Sequence, residues 1–189
     1  MEAGDVAAVL TKASGGDGEA FSLLVKSHAR MAFRLAYRLT GDERDAEDVV
    51  QESFIRAYRQ INRFESRSNF GTWLHRIVVN CAMDTLRARH TRRGERLGEP
   101  VEDVHDAAVS AAPSPERLAM SMEIRRRLDA SMAMLTPQER IAFALRHYEG
   151  RSIDDIGRTL GLQKSAAKHA VFRAVRKLRA ALAPLRGES

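Results

Sequence analysis

SAAKHAVFRAVRKLRAAL, residues Ser165–Leu182, carries Lys168, His169, Arg173, Arg176, Lys177 and Arg179 without a single acid. The imbalance extends beyond the stretch, since no Asp or Glu occurs from Ile156 to Gly187. Surface helices ordinarily mix both signs, because unlike charges four residues apart stabilise a helix and like charges destabilise it. A helix that forgoes this mixing is suited to an anionic partner. Its apolar residues Ala167, Val171, Val175, Leu178 and Leu182 recur at helical spacing and predict the buried stripe. Lys168, His169, Phe172, Arg173 and Arg176 are then predicted to face outward, with Ser165 as the cap.

Immediately upstream, Ser152 and Asp155 predict a capped short helix with Ile153, Ile156 and Leu160 inward, broken by Gly161. A short helix, a glycine turn and a second helix with a polar leading end make a helix-turn-helix. In that motif the second helix enters the major groove and sets its N-terminal residues on base edges. Lys164, Ser165, Ala166, Lys168 and His169 occupy that leading end, while Arg173, Arg176 and Lys177 lie a turn or two later, placed for phosphates. One element further back, LTPQERIAFALRHYEG (Leu135–Gly150) offers Thr136 as N-cap, Pro137 at the first helical position, Glu139 closing a capping box and Gly150 as the stop. A helix over Ser121–Met134 is expected before it.

The remainder of the 189 residues reads as helical too. Hydrophobic residues make up 44% of the chain, enough for a packed core, while aromatics are only 6% and strand-like alternation is missing. Three of the five prolines fall in 94–117, where no apolar stripe is long enough to pack. Charge follows the same partition. Residues 1–93 hold 15 Lys/Arg against 12 Asp/Glu, 94–117 hold two against six, and 118–189 hold 14 against seven. The expected fold is therefore all-α: two small helical domains, 1–93 and 118–189, joined by a flexible acidic linker, 94–117, the C-terminal one containing the helix-turn-helix. Two basic blocks point to phosphate-rich partners.

The same composition excludes several classes. The lone cysteine, Cys81, cannot form an internal disulfide and is expected in the core, so a reducing, cytoplasmic setting is the default. The N-terminus lacks both a basic start and a sustained apolar stretch, and no run approaches the roughly 20 apolar residues of a membrane helix. The six histidines are scattered without metal-ligand spacing, and no nucleophile–base pair stands out. The sequence asks for no metal, no cofactor and no enzymatic activity.

Three helices are predicted in the first domain. Phe21–Leu39 places Phe21, Leu24, His28, Met31, Leu35 and Leu39 near one face, and Gly41 ends it. The second begins at Asp42–Asp45 and runs to about Ile61 on a stripe of Val50, Phe54, Ala57, Tyr58 and Ile61. The third spans about Thr72–Arg89, with Leu74, Ile77, Val78, Cys81 and Leu86 inward, and a short helix is expected within Asp5–Lys12. Acids in a first turn suit the helix dipole, but Gln51 and Glu52, which share a face with Asp48, lie beyond it and suit a basic partner. Trp73, Arg76, Asn80, Asp84 and Arg87 fall at i, i+3, i+7, i+11 and i+14, a second face fit for unstacked bases. For Trp73 a core position is as good a reading as stacking.

The order DAEDVVQESFIRAYR, FGTWLHRIVVNCAMDTLR, a variable joint, LTPQERIAFALRHYEG and a helix-turn-helix resembles bacterial extracytoplasmic-function (ECF) sigma factors, over about Glu19–Arg93 and Leu118–Arg186. The resemblance implies a promoter-specificity subunit of RNA polymerase. Asp48, Gln51 and Glu52 would dock on core RNA polymerase. Ser66, Arg67, Asn69, Phe70 and Asn80 would join Trp73, Arg76 and Arg87 at the melted minus-ten element. The C-terminal helix would read the duplex minus-thirty-five element. Members are often held by an anti-sigma factor. Ala166, Ala167 and Ala170 stand where many members carry Thr, Val and Arg. The rival reading is a helix-turn-helix repressor or activator acting without polymerase docking, which would usually be a dimer; no sustained heptad seam supports one.

Overall fold

The computed structural model describes residues 3–64, 69–95 and 130–183, and the chain divides into two compact units, Met1–Leu86 and Arg87–Ser189. Every element among the described residues is helical. The expected linker lies outside the described residues except for residues 94 and 95, and so does the expected 121–134 helix up to residue 129.

The first unit opens with α1 (Ala3–Ser14), longer than the short helix expected there. It is followed by α2 (Gly18–Thr40), which starts where Asp17 accepts hydrogen bonds from the Glu19 and Ala20 amides at 2.9 and 3.0 Å. Gly41 ends α2 in the left-handed region at φ 70°, a conformation that glycine adopts without strain. Asp42 then caps α3 (Glu43–Gln60) by accepting from the Asp45 amide at 2.8 Å. A single 3-10 turn, Ile61–Arg63, leads out of α3.

The buried stripe of α3 keeps Phe54, Ala57 and Ile61 of the predicted one and differs at Val50 and Tyr58. Ala46, Val49, Ser53, Phe54, Ala57 and Ile61 are buried, whereas Val50 is half-buried and Tyr58 is 48% exposed. Small Ala46 and Ala57 let α3 approach its neighbours closely along that line. Tyr58 sits at its margin, edge-on to Phe21 with ring centroids 5.0 Å apart. The third helix, α4 (Phe70–Glu95), is longer than predicted at both ends. Within the first unit it is the central helix: Phe70, Leu74, Ile77, Val78, Val79, Cys81, Ala82, Met83 and Leu86 are all buried.

In the second unit, α5 (Pro137–His147) carries the predicted capping box, with the Thr136 hydroxyl accepting from the Glu139 amide and Glu139 accepting from the Thr136 amide. Helix α6 (Ile153–Leu160) is capped by Ser152 and closed by Gly161 at φ 65°. A hydrogen bond from Ser152, and then one from Arg158, hold the exposed Asp155 carboxyl down at about 2. Helix α7 (Lys164–Leu182) begins two residues earlier than predicted. Gln163, extended and without a side-chain bond, is its N-cap, and Ser165 lies inside the first turn. The cause is the tight link from α6, where the Leu162 amide reaches back to the Gly157 carbonyl at 2.8 Å and leaves Gln163 as the last extended residue.

The seam of α7 also differs. Ala167, Ala170, Ala174 and Leu178 are buried, while Val171, Val175 and Leu182 are half-buried. Alanine at the seam lets the helix lie close on its neighbours, and the larger residues flank it. Met132, Leu135, Ala174 and Leu178 form one core cluster, with Phe143 against it.

Gly157 fixes the angle of the helix-turn-helix. A Cβ there would stand 2.8 Å from the Leu162 carbonyl oxygen, a backbone atom that cannot turn aside. Gly157→Ala should therefore destabilise the second unit by about 1–3 kcal/mol, although alanine is intrinsically the better helix former by roughly 1 kcal/mol. Thermal unfolding of the variant checks it: a higher melting temperature would show that propensity outweighs the contact.

Candidate nucleic-acid interface and docking face

Helix α4 meets solvent within the first unit along one narrow strip. Arg76, Asn80 and Asp84 are exposed, Trp73 is half-buried at its head, and Arg87 continues the line on the same helix. A helix packed on nearly all sides can carry charged and amide groups only where they reach water or a partner. The predicted second face therefore stands as a surface. Its aromatic end is built from the core outward. Phe70, 1% exposed, packs edge-on to His28 at 5.0 Å and against Trp73 at 5.6 Å, and Trp73 also meets Phe64 at 5.2 Å.

The structure thus places Phe70 in the core and leaves Trp73 as the ring that offers part of a face. Asn69 is exposed, and its side-chain oxygen accepts the Gly71 amide at 2.8 Å, so it caps α4. Ser66 and Arg67 lie outside the described residues.

On α3, Asp48 and Gln51 are exposed and Glu52 is half-buried, one face as predicted. Ile55, 39% exposed, shares that face and was missed. The signal was an apolar residue lying off the buried stripe. Arg56 was missed as well. Its Nε donates to Glu52 Oε1 at 2.6 Å and its Nη1 to Asp84 Oδ2 at 2.9 Å, joining the α3 face to the α4 strip. The hydrogen bond to Asp84, then that to Glu52, raises its pKa above the ordinary arginine value. With Arg56, Glu52 and Asp84 side chains 35%, 44% and 53% exposed, water screens the pairs. They contribute about 1 kcal/mol or less each.

Helix α7 presents Ser165, Ala166, Lys168, His169, Phe172, Arg173 and Arg176 to solvent. Its cations fall into two groups. Lys164 pairs with Asp154 at 3.0 Å, Arg173 with Glu139 at 3.0 Å and Lys177 with Glu139 at 2.7 Å. Lys168, Arg176 and Arg179 are exposed and carry no ion pair among the described residues. Glu139 is only 3% exposed. Burial alone would raise its carboxyl pKa, but hydrogen bonds from Lys177, the Thr136 amide and Arg173 outweigh it and the value is lowered. Its role as a cap was legible from the sequence; its grip on α7 was not.

Residues 24–92 match the family described as sigma-70 region 2, and residues 125–178 match sigma-70, region 4. Both regions in this order, on a chain whose described elements are all helical, define the sigma-70 class of transcription factor. The chain is 36% identical over 160 residues to the ECF RNA polymerase sigma factor SigE of Mycolicibacterium smegmatis, covering 85% of this chain and 60% of that one, so it spans less than two thirds of that relative. It is 35% identical over 178 residues to the RNA polymerase sigma-H factor of Pseudomonas aeruginosa, covering 92% of each. The sigma factor RpoE from Bartonella quintana, solved with the anti-sigma factor NepR, shares the fold at a TM-score of 0.61 and 23% identity, over 86% of this chain and 96% of that one.

The chain belongs to the ECF RNA polymerase sigma factors. It is a transcription-initiation factor that works with core RNA polymerase on promoter DNA, and the reading as a free-standing repressor or activator is not favoured. No helix among the described residues is long and apolar enough to cross a membrane.

Proposed function

We propose that the factor divides promoter recognition between domains 1–93 and 118–189, with 94–117 as the joint. The α4 strip would take melted bases of the minus-ten element: Trp73 stacks, Asn80 offers its amide to a base edge, and Arg76 and Arg87 meet the backbone. Ser66, Arg67 and Asn69 would contribute from the preceding loop, and Phe70 would hold Trp73 in place. Helix α7 would enter the major groove at the minus-thirty-five element through Ser165, Ala166, Lys168 and His169, with Arg176 on phosphate and Lys164, Arg173 and Lys177 alongside. Asp48, Gln51 and Glu52 would dock on core polymerase.

One observation carries this reading: within the first unit α4 is largely buried but for a strip that bears the aromatic Trp73, the guanidinium of Arg76, the amide of Asn80 and the carboxylate of Asp84, and Arg87 continues that line on the same helix. Extruding a base costs a few kcal/mol, and stacking returns about 1–3 kcal/mol per base. The factor itself makes or breaks no covalent bond in this scheme, so it is not an enzyme, and it acts in the cytoplasm, where the polymerase is. An anti-sigma factor is a fitting further partner, since the RpoE relative was solved with one.

In vitro transcription with purified bacterial core polymerase on a genomic library tests the whole. Discrete new start sites sharing a two-part upstream motif are expected. Tight duplex binding without polymerase, and no new starts, would overturn it. Within that assay, Asn80→Ala should reduce open-complex formation about tenfold, as expected for loss of one base contact, and leave initial duplex binding near that of the unmodified chain. An equal loss in both steps would remove Asn80 from the capture role.

A further inference from the structure

The buried carboxylate of Glu139 lies against the exposed basic helix α7 and makes contacts that a capping residue does not need. One oxygen accepts from Nε of Arg173 at 3.0 Å, and the other accepts from Nζ of Lys177 at 2.7 Å and from the Thr136 amide at 3.0 Å. Arginine is held here by its inner nitrogen. Its two terminal Nη groups, which form the outer edge of a planar fork, make no hydrogen bond among the described residues, and the side chain is 47% exposed. A carboxylate can pair with a guanidinium through its terminal Nη groups or through Nε; here it takes Nε alone. Gripping Nε leaves the terminal Nη fork available and restrains where it can reach.

We propose that Glu139 is a positioning residue for promoter recognition, which holds Arg173 by Nε so that its Nη edge is aimed outward at a paired acceptor on DNA. This rests on the reading of α7 as the upstream DNA-reading helix. Two sources offer such an acceptor pair, the O6 and N7 atoms of a guanine and the oxygens of a backbone phosphate. Lys177, bound to the second oxygen, steadies the carboxylate and keeps Glu139 charged under the helix.

Glu139→Gln separates the two roles of this side chain, because glutamine closes a capping box as glutamate does yet brings no charge to Arg173. Holoenzyme carrying each variant is titrated with two duplexes, one selected from a random pool by the unmodified holoenzyme and one scrambled to the same base composition. Glu139→Gln is expected to bind the selected duplex about tenfold more weakly, the order of one misplaced bidentate contact. In an Arg173→Gln background the same change should have no further effect, as a residue acting through Arg173 requires.

A loss confined to the selected duplex assigns the guanine edge, and an equal loss on both assigns phosphate. Unchanged or tighter binding, or a Glu139 effect that persists without Arg173, overturns the proposal. Should Glu139→Gln fail to fold, Arg173→Lys decides instead. An ammonium cannot be held from within and present a fork, so it should bind the selected duplex as weakly, and full binding by Arg173→Lys would overturn the proposal. An unmodified holoenzyme that selects no duplex refutes the DNA-reading assignment itself and the positioning role with it, whereas selection that survives both variants refutes the positioning role alone.

Discussion

Phe70→Ala is expected to lower the stability of the first unit by about 3–5 kcal/mol, the usual range for emptying a buried aromatic site. Phe70 is 1% exposed and stands where α2 meets the start of α4, with rings of His28, Phe64 and Trp73 at 5.0, 6.0 and 5.6 Å. Its removal leaves three aromatic neighbours without a common contact, and backbone capped by Asn69 cannot slide in to fill the space. Against a typical stability of about 5–15 kcal/mol, such a loss leaves little margin. The melting temperature should fall by roughly 12 °C or more, at about 4–8 °C per kcal/mol for a unit of this size.

Trp73, the single tryptophan, reports the transition by its fluorescence. The variant should fail to support transcription because the strip is no longer formed, with binding of the polymerase and of DNA lost together. A melting temperature close to that of the unmodified chain would show that the ring is not part of the core. Asn80→Ala provides the contrast. Asn80 is exposed on the strip and its truncation should leave the melting temperature within the range of ordinary surface changes, about 0.5 kcal/mol.

The place of Phe70 also shows where sequence reading stops. Helical periodicity located α2, α3, α4 and the helix-turn-helix, because apolar spacing and caps such as Thr136, Ser152 and Gly41 act locally. What periodicity leaves open is phase, when two adjacent residues are both apolar. Val49 and Val50 compete for the same stripe, as do Ala170 and Val171 on α7, and close packing through small neighbours decides between them. Partners far apart in sequence are likewise illegible. The Glu139–Arg173 bond joins residues 34 apart, and Arg56–Asp84 spans 28. The sequence sorts the cations of α7 only by their place along the helix; three-dimensional pairing separates those held by Asp154 or Glu139 from the rest. The strip on α4 was legible because it depends only on helical angle, and its exposure follows from how completely the other faces are covered.

That separation chooses the variant with which to test the upstream helix. Reversing Arg173 would set a second carboxylate beside the buried one of Glu139, and a loss of binding would then mix repulsion inside the protein with repulsion of DNA. Lys168 and Arg176 are exposed and lie on the outer side of α7, so their reversal acts on the partner alone. Lys168→Glu combined with Arg176→Glu is expected to weaken holoenzyme binding to the upstream element by about a hundredfold or more. Loss of the Arg176 phosphate contact should also reduce the slope of log affinity against log salt by about 0.9, the value for each phosphate on duplex DNA. Thermal melting should change little, since neither side chain supports the core. The slope is the discriminating quantity, because a misfolded helix loses affinity at every salt concentration in proportion to the folded fraction and leaves the slope unchanged. Full transcription by the double variant from promoters with a defined upstream element would mean that α7 does not lie against the duplex, and the basic face would need another anionic partner.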